Sequence, residues 1–234
     1  EESIGENGYN YYKEMIEKSL NKNPEVIVLS ENSFPSLVID EKTKLPINYK
    51  KMDVKKVYDD FIKLSQKNKE TSLVAGFHTE IDGKRYNSIL VFENGKIVDI
   101  YHKRFLLPFA EYVPKILKNR INLFEPLEKG DLIQNIKIKG INATPLICSE
   151  IIFPQLSKSE TNKLIVNISN DSIFKSPTVG KQHHLMAKMR AVENGAYVVR
   201  SVKGGISSII DPFGREISIS AVNEKNIIFG NIKL

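Results

Sequence analysis

Pro24-Glu25-Val26-Ile27-Val28-Leu29-Ser30-Glu31 is the stretch on which the fold turns. A helix-breaking proline is followed by a short apolar run that stops at Ser-Glu, the pattern of a strand buried on both faces. Upstream, Tyr12, Met15, Ile16 and Leu20 recur at helical spacing across residues 9–21. Downstream the cycle repeats. Val54, Val57, Tyr58, Phe61 and Leu64 predict a helix over 54–67, and Ser72–Phe77 a second buried strand. Strands over 86–92 and 96–101 are joined by Glu93-Asn94-Gly95, whose Asn-Gly step is a strong hairpin signal.

The second half behaves alike. Gly140–Ile147 reads as a strand ending at Cys148, and Leu164–Ile168 as another ending in Ser169-Asn170-Asp171. A helix is expected over 182–194, with Leu185, Met186, Met189 and Val192 on one side. Strands follow at 196–201 and 207–210, then the turn Asp211-Pro212-Phe213-Gly214, and a closing strand over 226–232. Helices alternating with strands indicate an α/β layered domain, and with no linker or repeat in view the 234 residues are read as one domain.

Composition narrows the function classes. Apolar residues make up 41 %, an ordinary share that excludes a disordered tail. The net charge of +6 is spread along the chain. Tracking phosphates needs a contiguous basic face, so nucleic acid is not expected; a diffuse charge suits an anionic membrane surface or simple solubility. The single cysteine excludes an internal disulfide and a cysteine-rich zinc site, and the adjacent His183 and His184 are poorly spaced for one metal, so no metal or cofactor is expected. No segment reaches the ~18–20 apolar residues of a membrane span. Glu1-Glu2-Ser3-Ile4-Gly5 has neither the basic lead nor the apolar stretch of a signal peptide. The expectation is a soluble piece of something longer, because it opens at the approach to a helix.

Three reactive side chains directly follow strands. Glu31 follows 26–30 and precedes Asn32-Ser33-Phe34-Pro35; Lys103 follows Ile100-Tyr101-His102; Cys148 follows Thr144-Pro145-Leu146-Ile147. In open α/β sheets reactive groups collect at the carboxyl ends of strands. A thiol with a pKa of about 8.5 needs its proton removed before it attacks. Glu31 can take that proton and later return it. Lys103 can meet the oxyanion of a tetrahedral intermediate, where losing one donor typically costs ~10²–10³-fold in rate, and the Ser149 amide is a second donor. Each residue also has a plainer reading: Cys148 as a small buried hydrophobe, Glu31 as a helix cap, Lys103 as a surface charge.

The blocks around these residues resemble a known family. Glu31–Pro35, Lys103 with Pro108-Phe109-Ala110-Glu111-Tyr112-Val113-Pro114, and Cys148-Ser149-Glu150-Ile151-Ile152-Phe153-Pro154 are similar to the three catalytic blocks of the nitrilase, or carbon–nitrogen hydrolase, superfamily. Leu107–Pro114, Asn167–Ser172, Gln182-His183 and Met189–Glu193 make it most similar to the apolipoprotein N-acyltransferase family. The resemblance runs from about residue 24 to residue 214. It implies Glu31 as general base, Lys103 as oxyanion stabiliser and Cys148 as nucleophile. Glu111, eight residues after the lysine, and Glu150 would be supporting carboxylates. It also implies an α-β-β-α four-layer sandwich, here without the strand that normally precedes the first helix, excised from a polytopic protein of the bacterial inner membrane and facing the periplasm. Ser149 and Ile173 stand where the acyltransferases usually carry aromatic residues.

The implied activity is ping-pong acyl transfer. A phospholipid acylates Cys148, and the thioester passes its chain to the N-terminal amine of a diacylglyceryl-cysteine lipoprotein. Phe105, Leu107, Phe109 and Tyr112 are the candidate substrate-binding residues; Phe105, Leu106, Leu107 and Phe109 read either as an apolar lid or as core. Two rival readings are a soluble amidase that uses water as second nucleophile and a silent lipid-binding domain.

Overall fold

The computed structural model describes residues 6–34, 37–38, 54–117, 126–131, 135–174 and 176–234. The readings of Glu1–Gly5 and of Pro35 lie outside them. In chain order the elements are α1 (Glu6–Leu20), β1 (Val26–Val28), β2 (Leu37–Val38), α2 (Val54–Lys67), β3 (Ser72–Ile81), β4 (Lys84–Glu93) and β5 (Lys96–His102). Then come β6 (Ile136–Ile138), β7 (Ile141–Ile147), α3 (Pro154–Ser157), β8 (Leu164–Asn170), α4 (Pro177–Asn194), β9 (Tyr197–Lys203), β10 (Ser208–Ile210) and β11 (Glu216–Ile219).

Two sheets form. In the first the order is β1-β3-β4-β5; β1 and β2 both lie parallel to β3, at successive stretches of it. The second runs β11-β10-β9-β8-β7-β6, with β7, β8 and β9 parallel at its centre. Alternation along the strands sorts the layers. Leu73, Ala75 and Phe77 of β3, with Leu90 and Phe92 of β4, pack against Ile16 of α1 and Phe61 and Leu64 of α2. Their neighbours Val74, Ile89 and Val91 face the other way and meet Ile147, Val166 and Ile168 of the second sheet. The far face of that sheet, Leu146, Ile165 and Val198, packs on Ala187 and Ala191 of α4. The result is the four-layer α-β-β-α sandwich expected above. Phe61 is fully buried, its ring 4.6 Å from Phe92 and 4.8 Å from Phe34.

Three tight hairpins hold the edges. Asn94-Gly95 turns as anticipated, and Asp82-Gly83 and Lys139-Gly140 do the same between β3 and β4 and between β6 and β7. All six residues have positive φ, the geometry that matches strand twist in two-residue loops.

Two expectations need correction. The 182–194 helix exists, extended back to Pro177, with Ser176 as its N-cap and left-handed Gly195 ending it. Its apolar side is not the buried one: Leu185, Met189 and Val192 are 56 %, 48 % and 56 % exposed, and only Met186 packs on the core. The buried face carries Gly180, His183, His184, Ala187, Arg190 and Ala191. Small alanines let the helix approach the sheet, and the buried polar groups find partners there. Second, residues 226–232 form no strand; β11 at 216–219 completes the hairpin after the 211–214 turn. The 226–232 segment has the short apolar run Ile227-Ile228-Phe229 but no ladder partner, and Ile232 packs against the core between the sheets. A cavity of about 1380 Å³ lies between this segment, α1, β1 and β9.

Candidate active site

Strand direction brings the three sequence-separated residues together. Glu31 follows β1, which is parallel to β3, and its backbone is pressed against Gly76. A Cβ there would stand 2.8 Å from the Glu31 Cα and from the Ser30 carbonyl oxygen, so only glycine fits. The Glu31 carboxylate is 5 % exposed. Its Oε1 accepts from Asn87 Nδ2 at 2.7 Å and its Oε2 from the Asn170 amide at 2.7 Å. Burial pushes this carboxyl above its ordinary value, against the pull of the Lys103 charge and the Asn87 hydrogen bond.

Lys103 follows β5. Its backbone N–H donates to the Asn87 carbonyl at 2.8 Å, and its side chain is 1 % exposed. Nζ lies 2.9 Å from both oxygens of Glu111. Burial pulls its value down; the Glu31 and Glu111 carboxylates outweigh that and hold it above the ordinary lysine value. Glu111 is itself fixed by Asn87 Nδ2 at 3.1 Å and by the Leu107 amide at 2.8 Å. One Asn87 amide group therefore ties the two carboxylates together.

Cys148 begins a 3-10 turn over 148–152 in the left-handed region, at φ 53°, and is 1 % exposed. A non-glycine residue in that region at a strand end is a strained turn, held here by its surroundings. Burial and the nearby Glu31 charge push the thiol up to about 12, while Lys103 and a hydrogen bond to Ser169 act the other way. Glu150, fully buried two residues on, accepts four bonds: from the Ile147 and Arg104 amides at 2.8 and 2.7 Å, the Phe105 amide at 3.0 Å and the Tyr101 hydroxyl at 2.8 Å. It thus clamps the Cys148 turn to the segment after Lys103. Ser149 is buried, and its hydroxyl has no partner among the described residues.

The candidate substrate residues lie on the loop after Lys103. Phe109, with φ 65°, is 54 % exposed; Phe105 is 38 % exposed and packs at 4.1 Å on Phe153. Leu107 and Tyr112 are half-buried, and the Tyr112 ring lies 5.7 Å from Lys129 Nζ. Leu106 is buried, so the loop divides between exposed and buried positions.

Residues without an assigned role in the sequence complete the surroundings. Asn87 sat unnoticed in the middle of a strand. Arg200 is buried in its strand and paired with Asp171, which also bonds His183, and a charge straight after Tyr197-Val198-Val199 was the available signal. Arg190 reaches the Ile152 carbonyl at 3.2 Å and pairs with Glu193. Among the described residues no cluster of His, Cys, Asp and Glu has metal-binding geometry. A carboxylate, an ammonium and a thiol, all buried and acting on one another electrostatically, form a set able to deprotonate a nucleophile and stabilise an oxyanion.

The chain belongs to the carbon-nitrogen hydrolases, whose family model matches residues 6–234. Among solved structures it is similar to the C. elegans NitFhit protein (TM-score 0.70, 20 % identity, 93 % of this chain and 55 % of that one). It is likewise similar to a Helicobacter pylori carbon-nitrogen hydrolase (TM-score 0.65, 17 % identity, 93 % and 80 %). These likenesses establish the fold. Its curated relatives are more particular. It is 30 % identical to the apolipoprotein N-acyltransferase of Borreliella burgdorferi over 94 % of this chain and 44 % of the relative. It is 37 % identical to the apolipoprotein N-acyltransferase of Rickettsia bellii over 88 % and 43 %. The chain thus spans less than half the length of these relatives.

Proposed function

We propose that this chain is the catalytic domain of an apolipoprotein N-acyltransferase. The observation that carries the reading is the buried cluster of Glu31, Lys103 and Cys148, in a chain whose relatives over most of its length bear that name.

In the first half-reaction Glu31 takes the Cys148 proton as the sulfur attacks a phospholipid ester carbonyl. Lys103 Nζ and the Ser149 amide meet the oxyanion. The ester C–O bond breaks, and Glu31 returns the proton to the departing lysophospholipid alcohol, leaving a thioester on Cys148. In the second half, Glu31 takes a proton from the α-amine of a diacylglyceryl-cysteine lipoprotein. The amine attacks the thioester, the C–S bond breaks, and the proton passes to the sulfur. The raised Glu31 carboxyl suits a group that must both accept and give back a proton.

Glu111 holds Lys103 charged, and Glu150 fixes the turn that carries the sulfur. Phe105, Leu107, Phe109 and Tyr112 would contact the acyl chain or the lipid surface. No helix among the described residues is long and apolar enough to cross a membrane. In this reading, attachment to the bacterial inner membrane and the periplasmic orientation depend on the part of the protein that its relatives have beyond the matched region. The test is steady-state kinetics of the intact protein in detergent, with a phospholipid donor and a diacylglyceryl-cysteine peptide acceptor. Parallel double-reciprocal lines and loss of turnover in Cys148→Ala support the scheme. Intersecting lines, or turnover retained without the sulfur, refute it.

A further inference from the structure

We propose that Ser169 is a positioning residue that carries a two-way hydrogen bond for the Cys148 sulfur, with Asp171, His183 and Arg200 as its anchor. The proposal deepens the reading above, since it takes Cys148 as the nucleophile.

The parallel register pairs Ile147 with Ile168, so the next residues on each strand, Cys148 and Ser169, stand side by side where β7 and β8 end. Ser169 is fully buried, and its hydroxyl is one of the groups that pull the thiol down against burial. Its Oγ donates to Asp171 Oδ1 at 2.6 Å. A hydroxyl has one proton and two lone pairs. With the proton committed to Asp171, what faces the sulfur is a lone pair, which accepts the S–H of a neutral thiol. Once Glu31 has taken the thiol proton, the hydroxyl can turn and donate to the thiolate.

The anchor is what makes that turn possible. Asp171 also accepts from His183 Nδ1 at 2.9 Å and from Arg200 Nη2 at 2.9 Å. When Ser169 turns away, the carboxylate keeps two charge-assisted or buried partners and is not orphaned. Burial pulls the Asp171 carboxyl upward, but the His183 bond, the Arg200 charge and the Ser169 bond outweigh it and hold it ionised. Arg200 is in turn tied through Nη1 to Asn167, whose Nδ2 donates to the Leu146 carbonyl at 3.0 Å, two residues before the sulfur. The anchor therefore reaches back to the strand that carries Cys148. Gly205 closes the other side, for a Cβ there would stand 2.6 Å from Asp171 Oδ2. The charged groups that bear on the sulfur are Glu31 after β1, Lys103 after β5, Asp171 after β8 and Arg200 in β9.

The test is alkylation of Cys148 by iodoacetamide in the intact protein, read by mass spectrometry of the peptide that carries it, from pH 7 to 9.5. No lipid is needed, so the outcome is independent of whether the phospholipid reaction proposed above is right. Ser169→Ala is expected to react about tenfold more slowly at every pH, because the thiolate has lost a donor. Unfolding would expose the thiol and speed the reaction, so a slower rate cannot come from a damaged fold. Ser169→Thr keeps the hydroxyl and is expected to stay within about threefold of the wild type, less than half a pKa unit. An unchanged or faster rate in Ser169→Ala, or a rate in Ser169→Thr as low as in Ser169→Ala, overturns the proposal.

Discussion

Lys103 is charged in a place where water does not help it, and the carboxylates around it are the reason. Its raised value means that the pairing contributes stability throughout the neutral range and loses it only as pH climbs through the folded-state value, above that of an ordinary lysine. Glu111→Gln removes one of the two carboxylates while keeping the shape. Burial then gains ground, and the ammonium gives up its proton at lower pH. The alkaline limb of kcat/KM is expected to move down in pH, with activity at neutral pH falling by about 10²-fold from the loss of oxyanion support. A pH–rate profile of the variant checks this; an alkaline limb that stays in place would assign Glu111 a different task. Glu31 has the opposite logic. Its raised carboxyl ionises late, so the acid limb of the profile belongs above the usual carboxylate range.

At the scale of elements, α4 makes a sharp contrast. Met189→Lys changes an exposed side chain and is expected to alter stability by no more than about 0.5 kcal/mol. Ala187→Leu forces extra methylenes between the helix and Ile165, and is expected to cost about 1–3 kcal/mol. Chemical denaturation of the two variants distinguishes them, and a larger loss in the methionine variant would reverse the assignment of faces. That assignment was hidden in the sequence for a physical reason. Alanine gives a weak hydrophobic signal, and His183, Arg190 and His184 look like surface residues until Asp171, Ile152 and Glu216 are brought opposite them. The strands were easier, since buried runs such as Leu164–Ile168 announce themselves. Residues 226–232 show the limit: a short apolar run suggests a strand, but only a neighbour with free hydrogen bonds makes one. The same holds at the site. Glu31, Lys103 and Cys148 could be picked out as candidates because each directly follows a strand. Asn87 and Ser169 acquire meaning only through register, which sets Asn87 between two carboxylates and Ser169 beside the sulfur.

For the whole molecule, two sheets packed face to face let strands from both deliver their ends to one buried cluster. Glu31 and Lys103 come from the first sheet, and Cys148 from the second. Glu150 spans them, binding the segment after β5 to the turn after β7. The helices on the outer faces hold the layers that bring the strand ends together. The central claim is that these layers assemble a nucleophile able to carry an acyl group. It is tested most directly by mixing the intact protein with phospholipid, without acceptor, and digesting at mildly acidic pH for mass spectrometry of the Cys148 peptide. The account predicts that this peptide gains the mass of one acyl chain, that neutral hydroxylamine releases it, and that Glu31→Gln abolishes it. A peptide that stays unmodified while acyl transfer to acceptor proceeds, or a chain found on another residue, would contradict it.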